Sequence, residues 1–306
     1  MTTHETSEPL PVLLDTDLGT NIDDALALAY LLRQPRCRLV GITTVHGDTL
    51  ARAQLASALC AAFGHGEVPI HRGAERPLRG EPTRPDVPQK RLLADWPHHE
   101  HFEPDLAVAF LRDRIQELPG RLTLVCIGPL TNVALLFEQA PETARQLKQL
   151  VCMGGVYFTE PAGYGPVEWN MAADPHAAAR VLAADVPAIR IVGLDVTTRC
   201  RLETASCRER FHAAGLTLLA DLADDWISRQ REILFHDPLA AAVAFSPDLC
   251  RFHEGRVTVQ KEPGPYAGRS HLDTTDPKGR HRVAWDVQSS RFFTHFWRTV
   301  EQPDSR

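Results

Sequence analysis

No C-x-x-C pair occurs anywhere in the sequence, and its seven cysteines, an odd number, are scattered at Cys37, Cys60, Cys126, Cys152, Cys200, Cys207 and Cys250. This argues against a disulfide framework and a thiolate zinc site, and leaves the thiols as small core residues. No apolar run approaches the ~20 residues needed to cross a bilayer. The opening MTTHETSEPL has neither the basic start nor the apolar stretch of a secretion signal, so the expectation is a cytoplasmic protein. An excess of positive charge is also missing. The 33 Lys and Arg against 39 Asp and Glu give a net charge of −6, which argues against a general binder of nucleic acid or of anionic membranes. There is no internal repeat and no Gly/Ser linker. With 43% hydrophobic and 24% charged residues over 306 positions, the composition is that of a folded globular protein of one large or two ordinary domains.

What is present is an alternation of short apolar runs with longer helical patterns: 12–14 then 23–33, 39–45 then 50–63, 122–127 then 131–137, 150–153 then 176–184, and finally 189–194. That order predicts an α/β fold, a single Rossmann-like domain over 10–301 with a mostly parallel central sheet flanked by helices. Residues 1–9 and 302–306 read as tails. Between 72 and 104, Pro77, Pro82, Pro85, Pro88, Pro97 and Pro104 interrupt any regular element, so this stretch is expected as a surface excursion, either a lid or disordered.

The unusual side chains sit at predicted helix starts, which in an open parallel sheet follow the carboxyl ends of strands, where ligands bind. The run Asp15-Thr-Asp17-Leu-Gly19-Thr20-Asn21-Ile-Asp23-Asp24 follows an apolar strand and precedes a helix that is apolar almost all round. Four carboxylates in one such loop repel one another unless a cation or hydroxyl groups compensate. Oxygen ligands with no nearby Cys or His favour calcium or magnesium over zinc. The bland alternative is that Asp23 and Asp24 complement a helix dipole while Asp15 or Asp17 caps a turn. An EF-hand is excluded, because loop positions 6 and 12 counted from Asp15 are Thr20 and Leu26 rather than Gly and Glu. A magnesium phosphatase of the HAD type is the second metal reading. Its D-x-D-x-[TV] motif maps imperfectly, with Gly19 where Thr or Val belongs.

Asp15-Thr-Asp17-x-Gly19 followed by Asp23-Asp24-Ala-Leu-Ala resembles the opening signature of the inosine-uridine-type nucleoside hydrolases, which remove the base from ribonucleosides using calcium. The likeness continues in order through Gly41-Ile-Thr-Thr-Val-His-Gly-Asp48, Gly128-Pro-Leu-Thr131-Asn132, Met153-Gly-Gly with Glu168-Trp-Asn170, and His236-Asp237-Pro-Leu-Ala. The resemblance implies that Asp17, Asp24 and Asp237 bind Ca2+ through carboxylates and Thr131 through its carbonyl. It makes Asp17 the base toward water and His236 the acid toward the leaving base. Asp23, Asp48, Glu168 and Asn170 become contacts to the ribose. A homodimer or homotetramer is implied as well. The remaining alternative is a ribose or nucleoside binder that kept the metal pocket and lost turnover.

The chain also departs from that pattern. Thr20-Asn21-Ile22 intervene where the signature has one residue, so the loop must bend differently and Asn21 shares the role given to Asp23. Asp48 stands where many members have Asn, and a carboxylate accepts but cannot donate. The usual Asn shortly before Glu168 is absent from 161–167, which puts the contacts to the 5′ side of the sugar in question. Trp226, Phe235, Tyr164 and Trp169 lie near these segments as candidates for stacking on a base or for the core. His98, His99 and His101 carry no assigned role.

Overall fold

A computed structural model describes residues 8–276 and 278–302 of the chain; of the tails expected at 1–9 and 302–306, residues 1–7 and 303–306 lie outside the described residues. β1 (Leu10–Thr16) is buried from its second residue onward, because its aliphatic side chains are shared between two layers. Val12 and Leu14 belong to one apolar cluster and Leu13 to the other, the alternation that a pleated strand imposes. β2 (Cys37–Thr44), β4 (Thr123–Cys126), β5 (Gln149–Met153) and β6 (Ile189–Val192) complete the parallel strands expected from the sequence, and β3 (Ile70–Arg72), a half-buried strand of three residues that the pattern did not name, adds one more beside β2. β7 (Arg201–Glu203) and β8 (Glu232–Leu234) form a separate two-stranded ribbon.

Beyond 194 the sequence pattern named no strands, yet β9 (Cys250–Val259), β10 (Ser270–Asp273) and β11 (His281–Val287) finish the sheet. The nine strands run β10-β9-β11-β6-β5-β4-β1-β2-β3. All neighbours are parallel except β9, which is antiparallel to both β10 and β11. β9 escapes a reading based on apolar runs because half of it faces solvent, through Arg251, Glu254 and Arg256 among others.

Helices cover both faces. The helix Asp23–Arg33 is buried at every position from Asp23 to Leu32 and packs among the helices His236–Val243 and Ser289–Val300. Such enclosure requires a helix apolar all round. The helices Ala107–Glu117, Thr131–Gln139 and Pro175–Ala183 cover the other face. All seven cysteines are buried and unbridged. No helix among the described residues is long and apolar enough to cross a membrane.

Strand order decides where a site can be. From β1 the chain moves outward to β2 and β3, then returns to the other side of β1 for β4, β5 and β6. The carboxyl ends of β1 and β4 therefore flank a topological switch point, the crevice in which open α/β sheets take ligands.

Candidate active site

The loop after β1 is shaped by its own side chains. Thr16 Oγ1 accepts from Leu18 N at 3.1 Å and donates to Asp24 Oδ1 at 2.5 Å, tying the strand end to the first helical turn. Gly19 has φ of 113°, and a Cβ there would run into the side chains of Val87 and Leu55, so both backbone and packing demand glycine. Arg52 is fully buried beneath this loop. Its guanidinium donates to the carbonyls of Asp17, Leu18 (3.0 Å) and His46 (2.6 Å) and to the Thr20 hydroxyl (3.2 Å). The acidic loop thus rests on one fixed cation.

Two helix starts supply the rest of the floor. Asp23 and Asp24 stand in the first turn of Asp23–Arg33, Asp237 in the first turn of His236–Val243, and the two helices pack together. Carboxylate oxygens of Asp23, Asp24 and Asp237, all buried, lie within 4.8 Å of one another. Asp17 closes in from the loop, where its Oδ1 would sit 2.7 Å from a Cβ at Gly128, so the β4 loop can approach only because residue 128 is glycine.

Burial, followed by repulsion from Asp17 and Asp23, raises Asp24 well above the ordinary carboxylate range. Burial and the charges of Asp23, Asp24 and Asp17 do the same to Asp237. Asp23 is pushed up to about 7 by burial and by Asp17, an effect reduced by hydrogen bonds from its own backbone and from Asp237. Asp17 is raised by burial against the opposing charges of Arg52 and His46. Two unit charges at such a separation repel by roughly 3 kcal/mol at an effective dielectric near 20. Helix N-termini return only about 0.3–1 kcal/mol each. The cluster therefore holds either protons or a cation, and its all-oxygen donors suit a hard divalent ion.

These carboxylates open into a cavity of about 480 Å³ lined by Asp17, Asp23, Asp24, Asp237, Glu168, Asn170 and His236. Seven of the nine site residues expected from sequence therefore meet there. Glu168 caps the short helix Trp169–Ala173, accepting from the amides of Asn170 (2.7 Å), Met171 (3.1 Å) and Gly155 (3.1 Å). Asn170 Nδ2 donates to the carbonyls of Ile127 (3.0 Å) and Met153 (3.2 Å), which ties the ends of β4 and β5 together. His236 Nδ1 is 2.6 Å from Thr197 Oγ1, and burial lowers its pKa to about 4, so the imidazole is neutral at pH 7.

Asp48 and Thr131 do not line the cavity. Asp48, expected at the ribose, instead caps the helix Thr49–Ala62 by accepting from Ala51 N at 3.0 Å, and pairs with Lys90 at 3.2 Å. Thr131, the first residue of the helix Thr131–Gln139, spends its hydroxyl on Asp174 Oδ2 at 2.8 Å. Asp15, which a phosphatase would need as its nucleophile, is fully buried, with Oδ1 accepting from Thr43 (2.5 Å) and Asn132 (2.7 Å). Phe235 lies in the core against Phe292, Phe293 and Phe296, and Trp226 donates to the Glu232 carbonyl at 3.0 Å away from the cavity. Tyr164 and Trp169 do line it, as does Asn21.

Sequence reasoning missed Arg52 and Arg84. Nothing about Arg52 signals its burial. Arg84 lies inside the Pro-rich excursion, which folds down onto the site: Gln89 N donates to the Gly19 carbonyl at 3.2 Å, and Arg91 pairs with the buried Asp225.

The sequence model of the inosine-uridine preferring nucleoside hydrolases matches residues 12–294. The chain is 35% identical over 298 residues to the non-specific ribonucleoside hydrolase RihC of Escherichia coli (strain K12 / DH10B), covering 92% of this chain and 95% of that protein. It is 28% identical over 291 residues to the probable uridine nucleosidase 1 of Oryza sativa subsp. japonica, covering 90% and 88% respectively. Among solved structures, the purine-preferring ribonucleoside hydrolase from Gardnerella vaginalis superposes with a TM-score of 0.84 at 28% identity, over 95% of this chain and 98% of that one. With this match running from β1 to the last helix, the chain belongs to the inosine-uridine preferring nucleoside hydrolase family and is an N-ribohydrolase.

Proposed function

We propose that the enzyme hydrolyses the N-glycosidic bond of ribonucleosides with calcium held by the carboxylates of Asp17, Asp24 and Asp237 and the carbonyl of Thr131. The observation that carries this reading is the buried, all-oxygen acidic cluster at the carboxyl edge of β1. A calcium ion bound there would neutralise these carboxylates and offer its remaining positions to a water and to the two vicinal ribose hydroxyls.

The protein groups then have separable tasks. Asp17 accepts a proton from the attacking water. Asp23 and Asn170 Oδ1 accept from ribose hydroxyls, and Glu168, already fixed by three backbone amides, has lone pairs left to do the same. As the base departs, positive charge develops on the sugar ring, and a carboxylate-lined pocket favours it. His236 presents an imidazole N–H to the leaving base. Tyr164 and Trp169 supply apolar surface at the same cavity. The resemblance also supports a homodimer or homotetramer, which light scattering on the purified enzyme measures directly.

Asp23 shares the 4.8 Å cluster with Asp24 and Asp237, so the division of labour between Asp17 and Asp23 is the part to test. Calorimetric titration of calcium into Asp17→Asn should show binding lost. Asp23→Asn should still bind calcium but need far more nucleoside to saturate. The reverse pattern would exchange their roles, and calcium-independent turnover by the wild type would sink the metal assignment.

A further inference from the structure

The cavity lining contains one cation. Against the carboxylates of Asp17, Asp23, Asp24, Glu168 and Asp237, the only Arg or Lys side chain among the described lining residues is Arg84. Among the described residues its guanidinium has no hydrogen-bond or ion-pair partner, although five acids line the same space. Its backbone lies in the left-handed region, with φ of 53°. An arginine gains nothing locally from that conformation, and such outliers persist where surrounding structure imposes them.

The surroundings do impose it. The Thr83 carbonyl is bound by His46 Nε2, the Pro85 carbonyl accepts from Asp48 N at 3.3 Å, and the Asp86 carbonyl accepts from Thr20 Oγ1 at 3.3 Å. Residues on both sides of Arg84 are thus anchored to the segments that follow β1 and β2. Gly47, itself at φ of 65°, makes this approach feasible, because a Cβ there would overlap the Pro85 backbone. The result is a strained residue held in place with its side chain at the cavity and no protein partner.

We propose that Arg84 is a specificity-determining residue that donates to a carbonyl oxygen of the nucleobase. This rests on the ribonucleoside hydrolase reading above. A guanidinium donates and cannot accept, so it recognises the lactam oxygen of hypoxanthine or uracil and offers nothing to the amino group of adenine. A phosphate on the sugar is the other oxygen-rich ligand that Arg binds well. It is disfavoured because a dianion would enter a space bordered by five carboxylates that outnumber Arg84 and one divalent ion together. A carbonyl is neutral in the ground state and gains negative charge only during reaction. The C1′–N bond breaks with its electron pair on the base, where it delocalises onto the carbonyl. Water adds to C1′ and releases a proton, and the base takes one up, so one water is consumed per ribose and base formed. Arg84 is placed to favour that charge as it appears.

The test compares kcat/KM for inosine, uridine, adenosine, p-nitrophenyl riboside and inosine 5′-monophosphate in the wild type, Arg84→Gly and Arg84→Lys. Glycine keeps the left-handed backbone available, so its effect reports the side chain. Arg84→Gly should lose about 10- to 100-fold on inosine and uridine, with adenosine and the aryl riboside within about twofold, and lysine should restore only part of the loss. Equal losses on all the ribosides would reduce Arg84 to a shaper of its loop and overturn the proposal. A loss confined to the monophosphate would overturn it in favour of a phosphate contact. A wild type silent on every riboside would instead refute the hydrolase reading on which the proposal stands.

Discussion

The floor of the cavity comes from residues carried on regular, buried elements: Asp23, Asp24 and Asp237 in first helical turns, and Asp17 one residue beyond a central strand. Its rim includes Arg84, Tyr164, Gly165 and Val167, on segments without helix or strand, and the segment around Arg84 is held by scattered contacts to other parts of the chain. The floor is rigid because it cannot move without unpacking a helix that is buried on all sides. The rim is rigid only where something pins it. Chemistry common to all ribonucleosides belongs on the first and discrimination among bases on the second, since loops on a fixed scaffold can vary without cost to the core.

Breaking the floor should give the largest effects. Asp237→Asn is expected to reduce ribose release by on the order of a thousandfold or more. In chelator the same variant should melt higher than the wild type, because one member of a repelling buried trio is gone, and added calcium should no longer raise its melting temperature. A variant that melts lower in chelator would show that the cluster is not strained by its own charge. His236→Ala comes next, with a loss of about 10²- to 10⁴-fold on natural nucleosides and little on p-nitrophenyl riboside, whose leaving group needs no help. Equal losses on both would remove His236 from the leaving-group step.

Breaking the rim should separate it from the floor. Gly47→Ala forces a side chain into the Pro85 backbone at a left-handed position, and should cost about 1–3 kcal/mol of stability while raising KM several-fold with calcium affinity unchanged. A fall in calcium affinity would show the two regions to be one unit. The smallest effect is expected from Asp48→Ala. The lost helix cap should lower stability by about 0.5–2 kcal/mol, and kcat/KM should stay within about twofold. A tenfold fall would return Asp48 to the ribose, where its place in the motif suggested it.

Asp48 shows why part of the site was not legible. Its place beside Gly47 in the second motif is readable, but whether its carboxylate faces a ligand or the Ala51 amide depends on how the helix Thr49–Ala62 begins. The strands β1, β2, β4, β5 and β6 were legible because parallel strands buried on both faces leave apolar runs, whereas the short, half-buried β3 and the half-exposed β9 leave none. Arg52 reads as an ordinary surface residue of an amphipathic helix until the loop after β1 is laid over it. Arg84 reads as a surface charge in a Pro-rich stretch until its neighbours are seen bound to His46, Asp48 and Thr20.

By itself the sequence determined the α/β alternation and the four acids of the opening loop, since both are properties of residues close together along the chain. Through the ordered motifs it also pointed to Glu168, Asn170, His236 and Asp237 as their partners. Tertiary structure alone decided that Asp237 comes within 4.8 Å of Asp23 and Asp24, that Arg52 supports them, that Asp48 turns away, and that Arg84 faces the cavity. Each of these depends on strand order and helix packing across long stretches of chain, where burial and the available hydrogen-bond partners, rather than residue type, determine what a side chain does.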